Sequence, residues 1–189
     1  MAVKFTERAE KVLLAAGEAA RNRSHDYVDT QHFLHAIVCQ RGSIAIQSFL
    51  IEDVDLDRMQ RLSEESLAGV EVRPHEDAIP FTPHAKRCIQ IASEQAARNG
   101  HSFVSTEHIL IGVIREEEGA GARILRDLSL NGENIESTIM SMLGPNPDDE
   151  QPKQDNYSFP KTGGPKLAVL ESFRIDLTAV SYTHLTQPP

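Results

Sequence analysis

Tryptophan is absent from the 189 residues and aromatic side chains make up only 5% of them. Rings that commonly fill sheet cores are therefore scarce, and a core of aliphatic side chains and alanine suits close-packed helices better. Cysteine occurs only as Cys39 and Cys88, without C-x-x-C spacing. Two reduced, partly buried thiols in a reducing cytoplasm are expected, rather than a disulfide framework. Apolar runs such as 12–16 fall far short of the ~20 residues of a membrane span, and Met1 opens directly into an amphipathic pattern, so neither a membrane nor a signal peptide is expected. Proline is missing from 1–73 and from 84–144, which leaves both stretches open to helix, where an interior proline costs about 3 kcal/mol. Positive charge is in deficit: 19 Lys and Arg against 28 Asp and Glu give a net charge of -9. No basic region stands ready to neutralise phosphates, and nucleic acid is not expected as a partner.

What is present is an ordinary globular balance, 40% apolar and 25% charged, and an internal repeat. An offset of 76 residues superposes 5–38 on 81–114 without a gap. Eleven positions are identical: Phe5/Phe81, Thr6/Thr82, Ala9/Ala85, Ala16/Ala92, Glu18/Glu94, Ala20/Ala96, His25/His101, Val28/Val104, Thr30/Thr106, His32/His108 and Leu34/Leu110. The apolar steps agree even where letters differ, with Phe5, Ala9, Val12, Leu13, Ala16 and Ala20 matching Phe81, Ala85, Cys88, Ile89, Ala92 and Ala96 on one helix face.

Thr6 and Thr82 offer N-caps to these first helices, and Pro83 sits where a missing N–H costs nothing. A second helix opens at Thr30 or Thr106, with Phe33, Leu34, Ile37 and Val38 matching Ile109, Leu110, Val113 and Ile114. A small insertion near Gly42 then precedes short third helices around 45–50 and 122–128. Fourth helices start at the caps Asp55 and Asn131. The expected fold class is all-α, an eight-helix bundle made of two pseudo-twofold-related four-helix repeats, about 5–69 and 81–144, followed by a flexible linker. One repeat alone would bury only ~60% of its unfolded surface, whereas two packed together approach ~70%, so one body over 4–144 is expected rather than two beads. Residues 69–80 connect the repeats. Prolines, glycines and charges without periodicity mark 145–168 as a linker. The piece 169–178 is apolar-periodic, and 179–189 belongs to no expected domain.

The elements FTERAEKVL with FTPHAKRCI, and DTQHFLHAIV with STEHILIGVI, closely resemble the double Clp repeat of the Clp/Hsp100 unfoldases. The second repeat is most similar to the ClpC-type branch. VLESFRIDLT at 169–178 is similar to the segment that leads into the first ATPase module of that family. No G-x-x-x-x-G-K-[ST] motif occurs among these residues, and in Gly163-Gly164-Pro165-Lys166 the proline removes an amide the phosphate cradle would use. ATP hydrolysis is thus not expected here; ATP and Mg belong to the ATPase modules that the resemblance implies for a longer parent. The expectation is a truncated or interrupted copy of an unfoldase, with a stand-alone accessory protein docking on a Clp complex as the alternative and a helical scaffold without a Clp partner as a third possibility.

The resemblance implies a recognition domain that captures adaptor proteins and protein substrates for an ATPase ring and a separate peptidase in the cytoplasm. It also implies pockets for phosphorylated arginine in which a Glu takes the guanidinium, a bidentate pairing, while a helix N-terminus meets the phosphate. Glu107 keeps that Glu, whereas Gln31 replaces it in the first repeat with an amide that cannot neutralise a cation. Thr6 and Thr82 fall at the matching helix starts. Thr82 and Glu107 are the leading candidates, followed by Thr6 and Gln31. Plain helix capping by itself also accounts for Thr6, Thr30, Thr82 and Thr106.

Eight histidines raise the question of a metal, and His25, His32 and His35 cluster in sequence. The second repeat keeps His101 and His108 but has Ile111 where His35 stands. Local hydrogen bonding or helix-seam packing is therefore the expected role, with no metal. No G-x-S-x-G or H-E-x-x-H motif points to catalysis. Glu18 and Glu94 are expected on solvated faces, as is the run 116–118 at a helix end, and Phe5 and Phe81 are expected in the core.

Overall fold

A computed structural model describes residues 4–68 and 79–143. The linker, the 169–178 piece, the tail and most of the connector, 69–78, lie outside the described residues. Eight helices occur among the described residues: α1 Glu7–Asn22, α2 Thr30–Cys39, α3 Ile44–Ile51, α4 Leu56–Ser66, α5 Pro83–Arg98, α6 Thr106–Glu116, α7 Ala120–Asp127 and α8 Gly132–Met142. The all-α repeat architecture is as the periodicity requires.

The register of the two repeats is tighter than the sequence suggests. Ser43 and Gly119, 76 residues apart, are the equivalent N-caps of α3 and α7, so nothing is inserted near Gly42. Gly42 adopts φ 89° in the preceding turn, a left-handed conformation that favours glycine, and its equivalent is Glu118 rather than Gly119. The two glycines share a letter and not a role.

Local chemistry fixes each helix end. The Thr6 and Thr82 hydroxyls accept from the amides of Ala9 (3.3 Å) and Ala85 (3.0 Å). Asp55 and Asn131 cap α4 and α8. Thr30 and Thr106 lie one residue inside α2 and α6, and the caps there are Asp29 and Ser105. Helices α1, α3, α5 and α7 all end in the same two-bond turn. After α1, Ser24 N–H donates to Arg21 O (3.1 Å) and His25 N–H to Ala20 O (2.9 Å). After α5, Gly100 and His101 repeat these bonds to Ala97 and Ala96. Such paired bonds satisfy the last helical carbonyls with a left-handed residue at the turn, here Ser24, Gly100, Asp53 and Ser129.

That turn delivers a histidine to the next helix. His25 Nδ1 lies 2.8 Å from His32 Nε2, and His101 Nδ1 2.9 Å from His108 Nε2. His32 and His108 occupy the third helical position and reach back to the amides of Asp29 (2.9 Å) and Ser105 (3.1 Å), the place a Glu or Gln takes in an ordinary capping box. Local hydrogen bonding, as expected for the repeated histidines, is what the fold makes of them.

The buried faces are those the sequence pattern marks: Ala9, Val12, Leu13, Ala16 and Ala20 on α1, and Ala85, Cys88, Ile89, Ala92 and Ala96 on α5. Phe81 is buried and Phe5 packs against the core. Cys88 is buried and Cys39 exposed, more so than expected, and both thiols are free; burial pushes the Cys88 thiol well up. No single helix among the described residues is long and apolar enough to cross a membrane.

The repeats join about an internal dyad. Phe5 forms a parallel bridge with Val104, and Val28 forms one with Phe81. These are the same contact with the repeats exchanged, the signature of a twofold interface. Thr6 N–H donates to Val104 O and Thr82 N–H to Val28 O, both at 3.0 Å; Val104 N–H donates to Lys4 O and Val28 N–H to Pro80 O, both at 2.8 Å. Helices α2 and α6 pack together, and each also packs on the short third helix of the other repeat.

Candidate functional site

Because the bridges cross the dyad, each candidate pocket is built from both repeats. Thr6, at the start of α1, lies beside the extended segment that enters α6 and Glu107. Arg8 Nη1 donates to Gly42 O (3.0 Å) in the turn before α3. The α3 amide of Ile44 donates to Glu107 Oε1 (3.2 Å). The starts of α1, α3 and α6 thus converge, and Glu107 is held among them with 7% of its surface exposed. A carboxylate at a helix start is favoured by the helix dipole and keeps a second oxygen for a cation.

At the other end of the dyad, Thr82 at the start of α5 lies beside the segment that enters α2 and Gln31. Its hydroxyl donates to Asp29 Oδ1 (2.8 Å), which also accepts from the Thr30 amide (2.8 Å). His84 Nδ1 lies 2.5 Å from Glu116 Oε1, and the opposite oxygen of Glu116 accepts from Gly119 N–H (2.6 Å). Gly121 N–H donates to Thr30 Oγ1 (3.0 Å). The hydrogen bond to Glu116 raises the His84 pKa, against some desolvation, with the charges of Glu116, Asp29 and Glu118 adding to the rise.

Repeat by repeat, sequence reasoning groups Thr82 with Glu107 and Thr6 with Gln31. The fold exchanges partners: Thr6 stands with Glu107, and Thr82 with Gln31. A second departure concerns the acidic run. Glu117 and Glu118 are exposed as expected, but Glu116 is buried, 4% exposed, because α7 begins at a glycine without a side-chain cap and the Glu116 carboxylate satisfies that amide instead. Arg8, Asp29, His84 and Glu116 escaped sequence reasoning. Their signal lay in the unequal pairs Arg8/His84, Asp29/Ser105 and Gln40/Glu116 of the 76-residue register.

Elsewhere the titratable groups have structural duties. Glu18 and Glu94 are exposed. Among the described residues no group of three or more His, Cys, Asp or Glu side chains is placed to hold a metal ion. His35 bonds Ser63 Oγ (3.0 Å) and lies 3.7 Å from Cys39 Sγ, a trio that resembles a nucleophile with its base. Burial and then Glu64 raise the Cys39 pKa, which is the wrong direction for an activated thiolate.

Comparison with known proteins bears on the family and the fold. The family model described as the Clp repeat (R) N-terminal domain matches residues 4–158. The ATP-dependent Clp protease ATP-binding subunit ClpA homolog of Pyropia yezoensis is 36% identical over 180 residues, 94% of this chain and 21% of that protein. The negative regulator of genetic competence ClpC/MecB of Bacillus subtilis is 33% identical over 178 residues, again 94% of this chain and 21% of that protein. The chain therefore spans about a fifth of the length of these relatives. Among solved structures, the Hsp104 N-terminal domain of Candida albicans superposes with a TM-score of 0.67 at 17% identity, covering 75% of this chain and 93% of that one. The N-terminal domain of ClpD from Arabidopsis thaliana gives 0.60 at 22% identity, covering 74% and 94%. At such identities these two likenesses speak for the fold alone.

Proposed function

The chain belongs to the Clp repeat N-terminal domain family, and on that premise we propose that it is the substrate- and adaptor-recognition domain of a ClpC-type, ATP-dependent unfoldase. Its partners are adaptor proteins and protein substrates in the cytoplasm. ATP and Mg serve the ATPase modules of a longer parent protein, a reading supported by relatives named as ATP-binding subunits, and a separate Clp peptidase degrades what is unfolded. The domain's task is to hold a client, and none of its own residues needs to break a bond.

The ligand chemistry proposed for the pockets is phosphorylated arginine, with Thr6 and Thr82 at the phosphate side and Glu107 and Gln31 at the guanidinium side. One observation carries this reading: the buried Glu107 carboxylate, fixed through one oxygen by the Ile44 amide, stands where the starts of α1, α3 and α6 converge. A guanidinium meets an ionised acceptor there, and a phosphate beside it meets helix-start amides.

Fluorescence anisotropy of a labelled peptide bearing one phosphoarginine, compared with the same peptide bearing arginine, tests the reading. The phosphorylated peptide binds more tightly, and Glu107→Gln, which keeps an acceptor for the Ile44 amide, weakens it about tenfold or more, the worth of one charge-assisted hydrogen bond. Equal affinities for both peptides, or an unchanged affinity in Glu107→Gln with normal helicity, contradict it.

A further inference from the structure

Two pockets related by a dyad would ordinarily bind two copies of one ligand. We propose instead that the Thr82 pocket is closed to phosphate-bearing ligands by Asp29, so that the domain takes a single such ligand, at the Thr6–Glu107 side. This inference rests on the ligand chemistry proposed above and assigns that ligand to one side of the dyad.

Five positions in register separate the two sides. Asp29 stands where the other side has Ser105. Its carboxylate takes the Thr82 hydroxyl proton at 2.8 Å, which sets a negative charge against the group that would meet a phosphate and commits that group's only donor. Pro83 stands where the other side has Glu7, so the first amide of α5 is missing while that of α1 is present. The Glu7 carboxylate itself is turned to Lys11, 2.9 Å away. His84 stands in place of Arg8 and is bound to the buried Glu116, whereas the first side has neutral Gln40 at the Glu116 position and keeps a permanent guanidinium at Arg8. Gln31, finally, stands in place of Glu107 and cannot neutralise a guanidinium.

All five differences act in the same direction. At the Thr82 side the anion meets acids and lacks an amide, and the amide of Gln31 brings no charge to the cation. Lys86 and Arg87 of α5 are exposed, where solvent and salt screen their pull on an anion. At the Thr6 side the hydroxyl and the helix-start amides serve the anion, and Glu107 serves the cation. The repeats have diverged into one binding side and one side whose polar groups bind each other.

Calorimetric titration with free phosphoarginine reads the stoichiometry directly. The wild-type chain is expected to take one equivalent. Asp29→Ser combined with Gln31→Glu copies the Ser105 and Glu107 pair onto the closed side while retaining a capping residue, and it is expected to take two. Two equivalents in the wild type, or one in the double variant with normal helicity, would each overturn the inference while leaving phosphoarginine recognition standing. Loss of wild-type binding on Thr82→Ala but not on Glu107→Gln would overturn the inference together with the role given to Glu107. No binding by any variant overturns both. Inorganic phosphate and arginine, titrated separately, are each expected to bind at least tenfold more weakly than the joined ligand, and equal binding by phosphate alone would remove the two-point recognition on which the assignment depends.

Discussion

The repeated histidines show how one residue type is turned to structure. The Asp29 amide donates to His32 Nδ1, so the ring proton of His32 lies on Nε2 and is donated to His25 Nδ1. The same logic holds for His108, which also takes the Ser105 hydroxyl at 2.7 Å, and His101. Burial first, and then the partner histidine, lowers the pKa of His32 and of His108 to about 4. Both rings are therefore neutral when folded and protonate near 6.5 when unfolded. Their contribution is complete above about pH 6.5, is lost as pH falls toward 4, and amounts to about 3 kcal/mol for each ring. His84 acts with the opposite sign but is exposed enough to add little. Thermal melts between pH 7.5 and 4.5 should show the midpoint falling, with a shallower fall in His32→Gln, whose amide still accepts from the Asp29 amide. A flat profile would contradict the neutral pairs. The sequence makes these histidines visible through their repetition, but the turn that joins each pair depends on backbone conformation and has no letter of its own beyond Gly100.

At the scale of the helix, spacing and caps made most of the fold legible: every helix start lies within a few residues of its expected place. The false insertion near Gly42 arose because two glycines with different duties, a left-handed turn and a bare N-cap, invite superposition. A third glycine sets the closeness of a helix pair. A Cβ on Gly112 would lie 2.3 Å from the Cys88 carbonyl oxygen, an overlap with backbone that no rotamer relieves, while the equivalent position in α2 holds the buried Ala36. Gly112→Ala should therefore destabilise the chain by about 1–3 kcal/mol, the range for overpacking, despite alanine's higher helix propensity. Chemical denaturation measures this, and an unchanged or raised midpoint would refute the close approach of α5 and α6.

On the scale of the whole molecule, the dyad decides which residues meet, and here the sequence is nearly silent. Superposing the repeats reveals that Thr6 is equivalent to Thr82 and Gln31 to Glu107, yet equivalence within a repeat carries no information about which start faces which across the interface. The crossing of Phe5 to Val104 and Val28 to Phe81 is what sets Thr6 of one repeat beside the segment that enters α6 and Glu107 of the other. The buried Glu116 was illegible for a similar reason, since an acidic run reads as a solvated helix end until the bare amide of Gly119 is brought beneath it. Clients are proposed to be held at this cross-repeat junction. Backbone amide chemical shifts followed while phosphoarginine is titrated into the nitrogen-labelled chain test it most directly. Amides of Thr6, Glu7, Arg8, Ile44 and Glu107 should move together along one saturable curve, with those of 84–86 left in place; shifts confined to 84–86, or none at saturating ligand, would contradict it.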